Sequence, residues 1–384
     1  MTGLTIEFED SIRRRNIVNM PNSEEYTVGW ICALSRESVA AQLFLDEHHE
    51  EGPEYVSQND NNSYTLGKIG KHNVVIAVLP DGEYGISTAA SVARDMVHSF
   101  PNVRVGLMVG IGGGAPTEAN DIRLGDVVVS SPHNGNGGVF QYDFGRTVQE
   151  KSFQYTKFLD QPPTFLRTAV SALATQHKIK GHKIKSAIEA VIQKNPRLEQ
   201  EFQRPDLDSD KLYQPDVLYS GNDEASVSCD AVEMLVHRRK RDPQQDDPAI
   251  YYGLIASANQ LMKDATIRDK LAKERNVLCF EMEAAGLMNH FPCLVVRGIS
   301  DYCDTHKNDV WQGYAAMTAA AYARELLLRI HPSQVEVARS IKDTISASEG
   351  HSSSSTNVTF GSHNEGFQAG VINGPVSGMT FGRK

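Results

Sequence analysis

Residues 293–301 read Cys-Leu-Val-Val-Arg-Gly-Ile-Ser-Asp, an apolar run that ends in two polar side chains. A stretch this dense in Val, Ile and Leu fits a strand covered on both faces. Runs of the same kind recur at 26–33, 73–79, 103–109, 126–130 and 251–257. Amphipathic helical stretches lie between them, at 37–48, 86–99, 163–176, 266–275, 282–290 and 311–330. This alternation predicts an α/β fold, three layers αβα around a mixed central sheet. Ser300 and Asp301 close a buried strand at its carboxyl end, where α/β sheets place ligand chemistry. An N-cap of the following helix is an equally good use for either residue.

Net charge is −10 over 384 residues. That speaks against nucleic acid or an anionic membrane as the main partner. An anionic small substrate stays open, because a few local cations or backbone N–H groups suffice for phosphate. The five cysteines are scattered, without a CxxC pair, so buried free thiols are expected rather than zinc or disulfides. The first 25 residues have no apolar core of a signal peptide. No run nears the ~18 apolar residues of a membrane span. A soluble, cytoplasmic protein is expected.

Composition divides the chain further. A polar extension fills 1–24, and the α/β domain spans 25–331. Residues 178–248, rich in Lys, Arg, Asp, Gln and Pro, read as a partly helical insertion. Within it His-Arg-Arg-Lys-Arg at 237–241 reads as a solvated helix end rather than a nucleic-acid patch. A linker covers 332–356, Ser-rich from 345. The tail, 357–384, alternates aromatic and apolar residues with Gly and Asn; it reads either as disordered or as a segment that orders by β-stacking with a similar partner.

Three more stretches bear on chemistry. Gly110-Ile111-Gly112-Gly113-Gly114 follows a strand and lets something pack closely there, but it lacks both GxGxxG and GK[ST] spacing. Cys279-Phe-Glu-Met-Glu-Ala-Ala-Gly286 sets Glu281 and Glu283 two apart at a strand-to-helix junction. For Glu281 alone, capping of the first helical turn is the preferred reading. Arg36-Glu37 follows the first strand, where an acidic residue is more often a capping charge than a catalyst.

Taken in order, these features resemble the purine nucleoside phosphorylase / uridine phosphorylase superfamily over roughly 25–331, most specifically in Glu281-Met282-Glu283 and Arg297–Asp301. The nucleosidase branch is the nearer one, in a form similar to the fungal domain attached to innate-immunity receptors, some relatives of which strip adenine from ATP. The resemblance implies that Asp301 hydrogen-bonds or protonates purine N7, with Ser300 as its supporting neighbour. It implies that Glu283 holds the ribose hydroxyls, Met282 packs on the sugar, and Glu37 positions or deprotonates the attacking water. Leu261 and Met262 would frame the base, and the glycine loop would include Gly112 and Gly113. No metal or organic cofactor is implied. A homo-oligomer is, and the tail resembles amyloid-signalling motifs shared with nucleotide-binding receptors.

The chain also departs from the family. Phosphorylases carry a Gly-x-Pro-x-Arg-type phosphate loop after the first strand, and none is visible here. Ile111 stands where nucleosidases have a small hydroxyl residue, and Asn259 where several relatives have Asp. Hydrolysis is therefore expected over phosphorolysis, and a non-catalytic nucleotide sensor is the third alternative. The chemistry is coherent by itself: the departing purine needs a proton, and general acid help of that kind is worth roughly 10²–10⁴ in rate. Asp301 is expected to carry that proton, pushed toward its neutral form by burial and nearby carboxylates. Arg36, Lys263, Arg146 and His133 are the cations considered for a 5′ phosphate.

Overall fold

The Val, Ile and Leu runs form strands whose residues are buried along their whole length, as the near-continuous apolar patterning requires. The computed structural model describes residues 21–49, 53, 56–133, 135–219, 232–242 and 244–350, with the backbone alone at 232 and 348–350. The tail at 357–384, Cys229 and most of the N-terminal extension lie outside the described residues. The chain divides into two units, Met1–Lys342 and Asp343–Lys384. The larger carries everything below; the smaller contributes most of a helix, Ile341–Gly350.

Strands β1 (Val28–Cys32), β2 (Glu47–His49), β3 (Tyr64–Ile69), β4 (His72–Val78), β5 (Val105–Gly114), β6 (Val127–Ser130) and β7 (Val139–Gln141) are followed by a separate two-stranded ribbon, β8 (Gly145–Arg146) with β9 (Gln154–Tyr155). Then come β10 (Ile250–Ser257), β11 (Val277–Glu281) and β12 (Cys293–Asp301). Apart from the ribbon they make one ten-stranded mixed sheet in the order β11-β10-β6-β12-β5-β1-β4-β3-β2, with β7 beside β10. Helices alternate with the strands along the chain: α1 (Ser35–Leu43), α2 (Ile86–Ser99), α3 (Thr164–Lys180), α4 (Ile184–Lys194), α5 (Glu199–Phe202), α6 (Ala265–Arg275), α7 (Ala284–Leu287) and α8 (Gln312–Arg329). This is the expected mixed α/β architecture.

The sheet does more than the sequence patterning implies. β11 turns back to pair antiparallel with the end of β5, Phe280 opposite Gly113 and Cys279 opposite Gly114. Strands β5, β12, β6, β10 and β11 thus close into a ring. One edge of β5 is shared: Val105–Met108 run parallel to β1, and Gly113–Gly114 take β11. Between them the same edge has no strand partner, which leaves backbone groups for side chains to satisfy.

Several expectations change. The helical stretch expected at 282–290 contains only the four-residue α7, in which Gly286 packs against the Ile86 backbone, and residues 288–292 lead from it to β12. The helix expected over 37–48 is Ser35–Leu43, and 47–49 is strand. The 237–241 stretch is not helical, and it is solvated only in part: His237, Arg239 and Lys240 are exposed, whereas Arg238 and Arg241 turn inward. Arg238 donates to the Tyr302 hydroxyl at 2.9 Å and to Asp210 Oδ1 at 2.9 Å. Arg241 donates to Asp126 Oδ1 at 2.7 Å, and Asp126 is fully buried. These two arginines find long-range partners instead of water. Two helices, Pro332–Glu336 and Ile341–Gly350, stand where a linker was expected from 332. Val335 is buried, and Ile341 N donates to Val103 O at 2.8 Å. Among the described residues, no helix is long and apolar enough to cross a membrane.

Candidate active site

A cavity of about 320 Å³ opens where β1 and β11 part on the edge of β5. β12 supplies Arg297, Ser300 and Asp301; β11 and the turn into α7 supply Glu281, Met282 and Glu283. The first turn of α1 supplies Glu37, and the stretch after β10 supplies Leu261 and Met262. Gly112 and Gly113 line the same space. All ten residues singled out from the sequence therefore meet in one cavity. A bulge in the β12–β5 pairing falls between Ile299 and Asp301. Regular alternation would send adjacent side chains to opposite faces; the bulge lets Ser300 join Asp301 at the cavity.

Glu37 fills the gap in the β5 edge. Its Oε1 accepts the Ile111 N–H at 2.8 Å, and its Oε2 accepts Ala33 N at 2.6 Å and Leu34 N at 2.9 Å. Burial raises its pKa, opposed by Arg297 and by those three N–H donors. Gly110 makes this possible: a Cβ there would run into the Glu37 carboxylate and stand 2.7 Å from Arg297 Nη1. Gly113 plays the same part for Asp301, whose Oδ1 would be 2.7 Å from a Cβ at that position.

The floor is organised by a residue the sequence reading left unassigned. Arg297 is 1% exposed. Its Nη2 contacts Glu281 Oε2 and lies 3.3 Å from Glu283 Oε2, while Nη1 lies 3.9 Å from Glu37 Oε1. Nη1 also donates to Ile111 O at 3.3 Å. One guanidinium thus faces three buried carboxylates, whose charge keeps it protonated against the cost of burial. Glu281 also accepts from Ala284 N at 3.0 Å, so it caps α7 as well. Burial, with Glu281 and Glu37 adding to it and Arg297 opposing, pushes Glu283 up to about 7.

Asp301 sits in different company. Its Oδ1 accepts Cys303 N at 2.9 Å, and its Oδ2 accepts Ser300 Oγ at 3.0 Å and Lys307 Nζ at 2.6 Å. Lys307 also lines the cavity and was not foreseen; six residues beyond Asp301 in a loop, it left no periodic signal. Three groups able to donate therefore surround the Asp301 carboxyl, one of them an ammonium. Arg36, Lys263, Arg146 and His133 do not line the cavity: Arg36 lies 4.0 Å from Glu201, and Arg146 is bonded to Gln154. Asn259 holds the start of α2 through Ile86 N at 2.9 Å. Among the described residues, no group of three His, Cys, Asp or Glu is arranged to hold a metal ion.

Comparison with known proteins gives a consistent picture. The family profile described as "Phosphorylase superfamily" matches residues 27–330. A curated relative from Hyaloscypha variabilis, a nucleotide-binding leucine-rich repeat (NLR)-like protein, is 43% identical over 325 residues. Those residues are 84% of this chain and 31% of the relative, so the chain spans about a third of that protein's length. Among solved structures, Helicobacter pylori 5′-methylthioadenosine/S-adenosyl homocysteine nucleosidase in complex with a ligand superposes with a TM-score of 0.50 at 15% identity, covering 80% of this chain and 99% of that one. Futalosine hydrolase from the same organism gives 0.50 at 16%, with the same coverage. The Neisseria meningitidis nucleosidase with methylthio-immucillin-A gives 0.50 at 16%, covering 79% and 99%. At these identities the likeness is one of fold, and the fold is nucleosidase-like.

Proposed function

The chain belongs to the phosphorylase superfamily, and from that premise we propose that it hydrolyses the N-glycosidic bond of an adenine nucleoside or nucleotide. Asp301 faces purine N7 with Ser300 beside it. Glu283 holds the ribose hydroxyls, with Met282 against the sugar and Leu261 and Met262 framing the base. Glu37 directs water at C1′. The sugar becomes positively charged as the bond breaks, and ionised carboxylates on its side stabilise that charge.

The observation that carries hydrolysis over phosphorolysis is the occupation of the Ala33, Leu34 and Ile111 amides by Glu37. Backbone N–H groups at the end of a strand are what an anion such as phosphate would use; here a resident carboxylate has them. Four carboxylates against two cations, Arg297 and Lys307, line the interior. A triphosphate would therefore extend past the rim. ATP remains the nucleotide to test first, as the substrate of an effector in fungal immunity or cell death. The NLR-like relative supports that setting. In it, residues 357–384 would pair with a receptor bearing a similar motif, and the domain would act as a homo-oligomer.

The test is to incubate purified protein with adenosine, methylthioadenosine and ATP, with and without phosphate, and to follow free adenine by chromatography. Release without phosphate, lost in Asp301→Asn and Glu37→Gln, is expected. Release only with phosphate would favour a phosphorylase. No release from any substrate would leave a nucleotide-sensing module.

A further inference from the structure

We propose that Lys307 is a positioning residue that supplies the leaving purine with its proton through Asp301, and that the 178–248 insertion exists in part to hold it there. This rests on the hydrolase reading above.

Asp301 is met by Cys303 N and Lys307 Nζ, which can only donate, and by the Ser300 hydroxyl, which also reaches Gly112 O at 3.4 Å. Of these, Lys307 is the one that carries an ionisable proton on a charged group, and it lies 2.6 Å from Oδ2. The Lys307 side chain is 19% exposed and Asp301 3%, so the pair sits in a medium where charge movement is felt strongly. Burial works against the ammonium, but Asp301, with Cys303 and Asp309 adding to it, raises the Lys307 pKa, so the proton leaves only as negative charge builds on the purine. In the reaction the C1′–N9 bond breaks and its electron pair goes to the purine. Lys307 passes its proton to Asp301 Oδ2 and that proton goes on to N7, so the pair loses one positive charge. Water adds to C1′ and its proton goes to Glu37; exchange with solvent restores both sites.

Lys307 owes its position to the insertion. The loop at 302–310 is pinned from outside: His306 stacks on Tyr213 at 3.7 Å between ring centroids and 9° between planes. Tyr219 N donates to Thr305 Oγ1 at 2.8 Å, and Tyr302 OH meets both Asp210 and Arg238. A loop that served only to connect β12 to α8 would not need this many long-range contacts.

The experiment uses the full chain and the variants Lys307→Met, Lys307→Arg and Lys307→Ala. Two substrates are compared: adenosine, which needs a proton at N7, and a 7-methylpurine nucleoside, whose base already carries positive charge. Lys307→Met should release adenine from adenosine at least 100-fold more slowly, within the range for general acid catalysis. It should change the methylated substrate by less than threefold. Lys307→Arg should recover part of the loss, and added methylammonium should partly rescue Lys307→Ala. Equal losses on both substrates would overturn the proposal. Adenine binding by calorimetry separates this failure from failure of the hydrolase reading. If the wild type releases no base yet binds adenine, the hydrolase reading falls. The pair's role then survives only if Lys307→Met weakens that binding at least tenfold and Lys307→Arg does not. A wild type that neither binds nor releases adenine overturns both.

Discussion

Arg297 Nη2 lies 3.3 Å from Glu283 Oε2 while its other terminal nitrogen reaches toward Glu37, 3.9 Å away. The acid proposed to hold the ribose and the acid proposed to direct water are thus tied to one buried guanidinium. Any change at Arg297 is felt by both.

Arg297→Met leaves Glu37, Glu281 and Glu283 buried without their counter-charge. Breaking a buried ion pair from one side costs about 3–5 kcal/mol. A loss of that size in urea-unfolding free energy is expected, accompanied by loss of adenine release. Stability unchanged within about 1 kcal/mol, small beside that range, would mean that the three carboxylates do not depend on the guanidinium.

The rate should follow the ionisation of Glu283, which burial pushes up to about 7. A protonated Glu283 cannot stabilise a positively charged sugar. The value of kcat/KM for adenine release should therefore rise with pH and level off above about 7. The inflection belongs to the cluster around Arg297 rather than to one acid. Glu283→Gln should abolish it along with most of the rate. A profile that falls with rising pH through the same window would contradict the assignment.

Gly110→Ala puts a methyl group into the space of the Glu37 carboxylate and 2.7 Å from Arg297 Nη1. Overpacking of this kind costs about 1–3 kcal/mol. Activity should drop by far more than the change in folded population allows, because the group displaced is the one aimed at water. Thermal unfolding and turnover measured on the same sample would show it.

Arg241→Met tests the insertion's anchoring away from the cavity. Asp126 is fully buried, and burial raises its pKa against the pull of Arg241. Loss of the partner should cost about 3–5 kcal/mol. The penalty should shrink at acid pH, where Asp126 can take a proton. A surface pair would show neither effect.

Much of this was legible in the sequence. Strands such as 293–299 announce themselves because a two-sided burial environment demands continuous apolar residues. Asp301 and Glu283 stand out at the ends of such runs, whereas Glu37, read alone, passes for a capping charge and is singled out only by the family resemblance. Arg297 was read only as a letter in a motif, since a charged residue inside a strand says nothing of which carboxylates surround it. Lys307 stands in a loop whose shape is set by Tyr213 and Tyr219, more than eighty residues earlier. The return of β11 to β5 is a pairing between segments far apart in sequence, and local patterning does not encode it. The inward turn of Arg238 and Arg241 was hidden for the same reason: their partners, Asp210 and Asp126, are distant.

The gap in the edge of β5 has one more consequence. Ile111 is paired there by side chains, its N–H by Glu37 and its C=O by Arg297. Its amide proton is therefore a resident reporter. Hydrogen exchange at Ile111 measures whether Glu37 is in place, in protein that has never met a substrate. Neighbouring amides in the β5–β12 ladder, bonded backbone to backbone, provide the internal clock against which that opening can be timed.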